Sequence, residues 1–167
     1  FDLYAMKGVK IPAWTVVMVL FGILSKSATF PLHSWLPDAG VAPTPVTSLL
    51  HAAVLVKIGV YAYARLFIMT FEIDRAFNTA VPVIAAVSAL ISAGAAFKAN
   101  DIKRVLAYST ISQLAFILLG LSCGNETGAV GGLIYILMHS VAKAGLFLCA
   151  GIVEHNLHTK DMSKMGG

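Results

Sequence analysis

Charge is scarce in this 167-residue sequence: Asp, Glu, Lys and Arg together make up 12% of it, where soluble domains carry about a quarter. That scarcity excludes an ordinary soluble domain, as does the mean hydropathy of +0.83. Cysteine is scarcer still. Cys123 and Cys149 stand in apolar surroundings and are too few for a disulfide framework or a metal cluster. There is no glycine-rich phosphate loop, haem-attachment motif or cysteine cluster, so no cofactor or metal site is expected on this chain. The pI near 9.2 comes without a basic stripe or interleaved basic and aromatic residues, which excludes a nucleic-acid partner. No internal repeat is evident. Acidic residues are also missing where basic ones occur, because no Asp or Glu falls inside any long apolar run.

What is present is apolar sequence. Hydrophobic residues make up 58% of the chain, and runs of 18 or more apolar residues recur, the length a membrane-crossing helix needs. The expected fold is all-α, a polytopic membrane helix bundle of five transmembrane spans in one domain covering residues 1–167. The spans are placed at about 11–37, 46–68, 79–97, 105–123 and 128–153, the first of them discontinuous. The first ten and last ten residues read as loops, so an interior piece of a longer subunit is expected. The side carrying the charged loop Lys98–Arg104 holds five Lys/Arg against four on the other, and is read as cytoplasmic by the positive-inside rule.

The stretch Lys26–Pro45, KSATFPLHSWLPDAGVAPTP, breaks the first apolar run. Pro31 removes a backbone donor and clashes with the preceding turn, which a bilayer tolerates only where the freed groups face protein or water. A lysine five residues before such a break suggests an ion site on an interrupted helix. Thr44 and Pro45 then offer a capping hydroxyl and a first-turn proline for the next run.

Lysines recur at a common depth. Lys57 lies near the middle of the second run, Lys143 near the middle of the fifth, and Lys26 just before the break. A lysine at the bilayer centre costs about 2.5–3.5 kcal/mol, so three independent ones cost about 8–10 kcal/mol. Snorkelling accounts for one lysine near a helix end more readily than for three at mid-depth. Tyr135, His139 and Lys143 are spaced four apart, which aligns them on one helix face. His51 and Lys57 are six apart and face different neighbours; His51 alone reads equally well as a core histidine or a relay. His33 reads as loop-bracing, and the spacing of His155 and His158 is too weak a metal signal to carry a site. With no acid in the spans, the counter-charges are expected from sequence beyond this stretch.

The run KSATFPLHSWLPDAGVAPTPVTSLLHAAVLVKIGVYAYARL resembles the signature of the antiporter-like membrane subunits of respiratory complex I. That family includes relatives in Mrp-type cation/proton antiporters and membrane-bound hydrogenases. NDIKRVLAYSTISQLAF, MHSVAKAGLFLCAG and KDMSKMGG match later stretches in the same order, and the resemblance covers essentially the whole chain. It implies a place at about the seventh to eleventh spans of the longer subunit. Lys26 then matches the lysine of the first broken helix, interrupted at Pro31. Lys57 matches the central lysine of the next span, with His51 the preceding histidine, and His139 and Lys143 match the histidine and lysine of the fifth. Tyr135 stands where some members have a histidine, and a tyrosine seldom passes a charge near neutral pH.

The resemblance implies proton, or cation/proton, translocation through a mid-membrane Lys/His axis, with no catalytic residue on this chain. It implies a redox-driven complex of the NADH:quinone oxidoreductase or membrane-bound hydrogenase type. Iron–sulfur, flavin or nickel–iron centres would lie on partner subunits, both peripheral redox subunits and other membrane subunits. The expected location is a prokaryotic cell membrane or the mitochondrial inner membrane. Two alternatives stand beside this reading: a stand-alone Mrp-type Na⁺/H⁺ antiporter subunit, or a scaffold subunit that does not conduct.

Overall fold

The computed structural model describes residues 3–49 and 54–166. Three long helices dominate it: α5 (Arg75–Lys98), α6 (Ile102–Ser122) and α7 (Glu126–Leu157). Each begins where a polar side chain takes up free amides of the first turn. Asp74 accepts from the Ala76 amide, Asp101 from those of Lys103 and Arg104, and Asn125 from that of Gly128. Short connections fold the three back on one another. Ser112 Oγ donates to Ala89 O at 3.0 Å across α5 and α6, and Ser88 and Ser92 are buried. Helix α7 ends on His158, whose backbone is left-handed at φ 52°.

The first two apolar runs fold differently. Helix α1 (Ala13–Lys26) has 14 residues, about 21 Å at 1.5 Å per residue, short of a hydrocarbon core about 30 Å thick. The chain then turns through Ser34 and makes three short helices, α2 (Trp35–Asp38), α3 (Thr44–Ser48) and α4 (Lys57–Tyr63). A π-helical turn, Ala64–Ile68, follows α4. The expectation of five spans is therefore corrected: among the described residues, three helices are long and apolar enough to cross a membrane, Arg75–Lys98, Ile102–Ser122 and Glu126–Leu157. The physical reason is that apolarity does not measure helical continuity. Pro31 and Pro43, which lie between the short helices, lack the amide a continuing helix needs, and they help break the stretch from Lys26 to Thr44.

Local bonds satisfy the ends of those pieces. Ser27 N and Oγ both donate to Ile23 O, at 2.8 and 2.7 Å, and Thr29 N donates to Leu24 O at 2.9 Å. Trp35 Nε1 reaches back to Ser25 O at 3.1 Å, and Phe30 N donates to Ser88 Oγ on α5 at 2.9 Å. The core joins Val16, Leu20 and Ile23 of α1, Val60 and Tyr63 of α4, and Ile111, Leu114 and Leu118 of α6. Gly59 brings α4 against the end of α1, because a Cβ there would stand 2.8 Å from both Ile23 O and Ser27 N. Two residues ahead of α1, β1 (Val9–Lys10), pair in parallel with β2 (Phe71–Glu72) beyond the π turn. Sequence periodicity gave no sign of this ladder, which is only two residues long.

Candidate functional site

Three of the basic side chains singled out in the sequence are buried in this bundle. Lys57 is 5% exposed, His139 5% and Lys143 4%. Lys57 is the first residue of α4 and follows a non-helical turn at residues 54–56. The close approach at Gly59 fixes its position against the end of α1. It therefore faces the positive end of its own helix dipole rather than the negative one. His139 and Lys143 lie one turn apart on α7.

The partners of the three differ. Lys143 Nζ donates to Ser109 Oγ and, at 3.3 Å, to Leu106 O on α6. Lys57 Nζ and both ring nitrogens of His139 are buried without a hydrogen-bond partner among the described residues. A buried polar group left unsatisfied costs about 1–3 kcal/mol, and a charged one more. Further along α7, the Tyr135 hydroxyl donates to Gln113 Oε1 on α6, and its ring lies 6.4 Å from that of His139.

The remaining candidates are placed elsewhere. Lys26 is exposed at the last residue of α1, where the negative end of the helix dipole favours a cation. Tyr135 is 39% exposed. His51 lies outside the described residues. Pro31 sits in the turns between α1 and α2, and His33 packs its ring 5.5 Å from that of Phe30.

Two residues absent from the sequence-based set form a pair further along α7. Lys103, at the start of α6, is 3% exposed, and its Nζ lies 2.7 Å from Glu154 Oε2. Glu154 was expected just outside a run ending at residue 153, but α7 continues to Leu157. The signal lay in the spacing, since the eleven residues from Lys143 to Glu154 make just over three helical turns.

A family model described as "NADH:quinone oxidoreductase/Mrp antiporter, TM" matches residues 4–167. The chain belongs to this family. It is 44% identical over 165 residues to a subunit of the F(420)H(2) dehydrogenase of Methanosarcina mazei, covering 96% of this chain and 24% of that protein. It is 42% identical over 152 residues to a probable K(+)/H(+) antiporter subunit of Rhizobium meliloti, covering 91% of this chain and 15% of the relative. The chain thus spans a quarter or less of the length of these two curated relatives. Among solved structures, a chain of the Mrp complex from Dietzia sp. DQ12-45-1b superposes with a TM-score of 0.80 at 31% identity. That match covers 85% of this chain and 27% of the other. With three helices fit to cross a bilayer, this family member is an integral, multi-pass membrane protein.

Proposed function

We propose that this chain is the interior part of a proton- or cation/proton-translocating membrane subunit, and that Lys57, His139 and Lys143 carry the moving charge. One observation carries the reading: three basic groups are buried, two of them without partners among the described residues. Replacing buried charge by apolar side chains is often neutral or stabilising, so a chain that only had to stay folded gains little from keeping them. A relay needs sites whose charge can change, and a lysine out of water is such a site. Lys57 and His139 would take their missing partners from water or from acidic groups elsewhere in the longer subunit. Lys26, exposed here, would face such a group and act as the switch of the broken helix, with His51 preceding Lys57.

Residues 1–167 would form part of one transmembrane domain in a larger complex with other membrane subunits. Relatives named as dehydrogenase and quinone oxidoreductase subunits support coupling to peripheral redox subunits, where the redox centres would lie. The Mrp complex and the K(+)/H(+) antiporter relative favour a second reading, antiport without an electron donor.

The test is ion flux in proteoliposomes of the complex containing the full-length subunit. Lys57→Met keeps approximate length, removes the buried charge, and should lower flux about tenfold or more with assembly intact. Lys57→Arg should also impair flux, because guanidinium stays protonated. Normal flux in an assembled Lys57→Met complex would make Lys57 a structural lysine and end the relay reading.

A further inference from the structure

The Lys103–Glu154 pair has features that helix packing alone does not require. Its lysine is buried, whereas the Glu154 side chain is 25% exposed and lines an open cavity of about 750 Å³ with Thr44, His155 and His158. Glu154 shares the inward stripe of α7 with His139, Lys143, Phe147 and Ala150. Helices α6 and α7 run antiparallel, and their polar contacts fall in line: Gln113 with Tyr135, Ser109 with Lys143, Lys103 with Glu154. The 32-residue α7 is about 48 Å long, longer than the hydrocarbon core of about 30 Å, so its last turns reach the aqueous boundary. Glu154 is thus the acidic member of a seam otherwise built from neutral and basic groups.

We propose that Glu154, held by Lys103, is the proton-exchange residue between the aqueous face and Lys143. A proton from water binds the Glu154 carboxylate, which gives up its hold on Lys103 as it becomes neutral. The proton then passes through water to the neutral amine of Lys143, which becomes an ammonium, and Glu154 returns to a carboxylate. In the reverse direction the same groups release a proton to the aqueous face. Phe147 and Ala150 are buried on the stripe between the two residues, so transfer needs these apolar side chains to part and admit water.

The surroundings of Glu154 suit a switch. Lys103 approaches from α6, Lys160 from the tail at 3.5 Å, and Thr44 Oγ1 from the start of α3 at 3.4 Å. His155 and His158 share its cavity. Lys103 Nζ also donates to Ala42 O at 3.4 Å, and Gly151 leaves room for the Thr44 side chain against α7. Neutralising Glu154 would therefore loosen the contact of α3 with α7 while it admits the proton. This assignment rests on the reading that Lys143 carries charge.

The experiment measures proton flux under an imposed pH gradient in proteoliposomes of the whole complex. Glu154→Gln should lower flux about tenfold or more, and Glu154→Asp should retain it with its pH midpoint moved acidward by about 0.4 units, the ordinary Asp–Glu difference. The double exchange Lys103→Glu with Glu154→Lys remakes the ion pair but moves the carboxylate off α7, and should leave flux low. Wild-type flux in Glu154→Gln, or flux restored by the double exchange, would show a structural pair and overturn the proposal. If Glu154→Gln does not assemble, an unshifted midpoint in Glu154→Asp overturns it equally. Loss of flux in Lys57→Met beside normal flux in Glu154→Gln would remove the exchange residue and leave the buried relay standing. Normal flux in Lys57→Met would instead remove the relay.

Discussion

Residues 13–68 and residues 75–157 both look like membrane spans by their apolarity, yet they house their lysines in opposite ways. In the continuous region, Lys143 sits in the middle of α7 and finds acceptors on the neighbouring helix, Ser109 and the Leu106 carbonyl. In the interrupted region, Lys57 opens a seven-residue helix and its ammonium group meets no acceptor among the described residues. Long paired helices present fixed hydroxyls and carbonyls at regular intervals, so a lysine between them can be satisfied within the fold. A break leaves a lysine at a helix end, where packing is set by a close approach such as Gly59 rather than by a partner. The same residue type is settled in one region and held open in the other.

The comparison can be broken most severely at Gly59. Gly59→Ala places a Cβ 2.8 Å from two backbone atoms of α1, which cannot yield as a flexible side chain would. An overpacking cost of about 1–3 kcal/mol is expected, read as a lowered midpoint of thermal unfolding in detergent. On the continuous side, Ser109→Ala should bring Lys143 closer to the condition of Lys57 by removing its side-chain acceptor. The expected loss is about 1–3 kcal/mol, measured in the same way, and an unchanged midpoint would show that Leu106 O suffices. Asp101→Ala removes the acceptor for two first-turn amides of α6 and should cost about 1 kcal/mol, seen as faster hydrogen exchange in that turn. The smallest effect is expected at the exposed Arg104–Asp38 pair, 3.1 Å apart. Arg104→Ala should change stability by at most about 1 kcal/mol and should lose even that in high salt.

The sequence was informative where structure follows from local chemistry. The apolar runs at 79–97, 105–123 and 128–153 lie within or against the three long helices, whereas Thr44, read as a cap, is the first residue of α3 and sends its hydroxyl to Glu154 instead. It misled where apolar composition stood in for helical continuity, as in the run at 46–68; the run at 11–37 is already read as discontinuous from its proline. The inward stripe of α7 was readable from its four-residue spacing for Tyr135, His139 and Lys143. Extending that arithmetic by eleven residues would have reached Glu154. The pairing of Lys103 with Glu154 was not readable, because it joins residues 51 positions apart in sequence through the antiparallel packing of α6 on α7. Nor could spacing reveal that Lys26 is exposed while Lys57 is buried, since both stand beside breaks and differ only in which end of a helix they occupy.

The small ladder of Val9–Lys10 on Phe71–Glu72 turns the interrupted region into a closed ring. Gly8 N adds a bond to Thr70 O at 2.8 Å, and the Arg65 guanidinium lies 5.7 Å from the centre of the Tyr4 ring. Roughly 60 residues are thereby held at both ends, and the entropy of closing such a ring grows only with the logarithm of its length. A ring of this kind confines rearrangement to its circumference. Short helices within it can rotate or exchange contacts while the entry into α1 and the exit towards α5 keep their places.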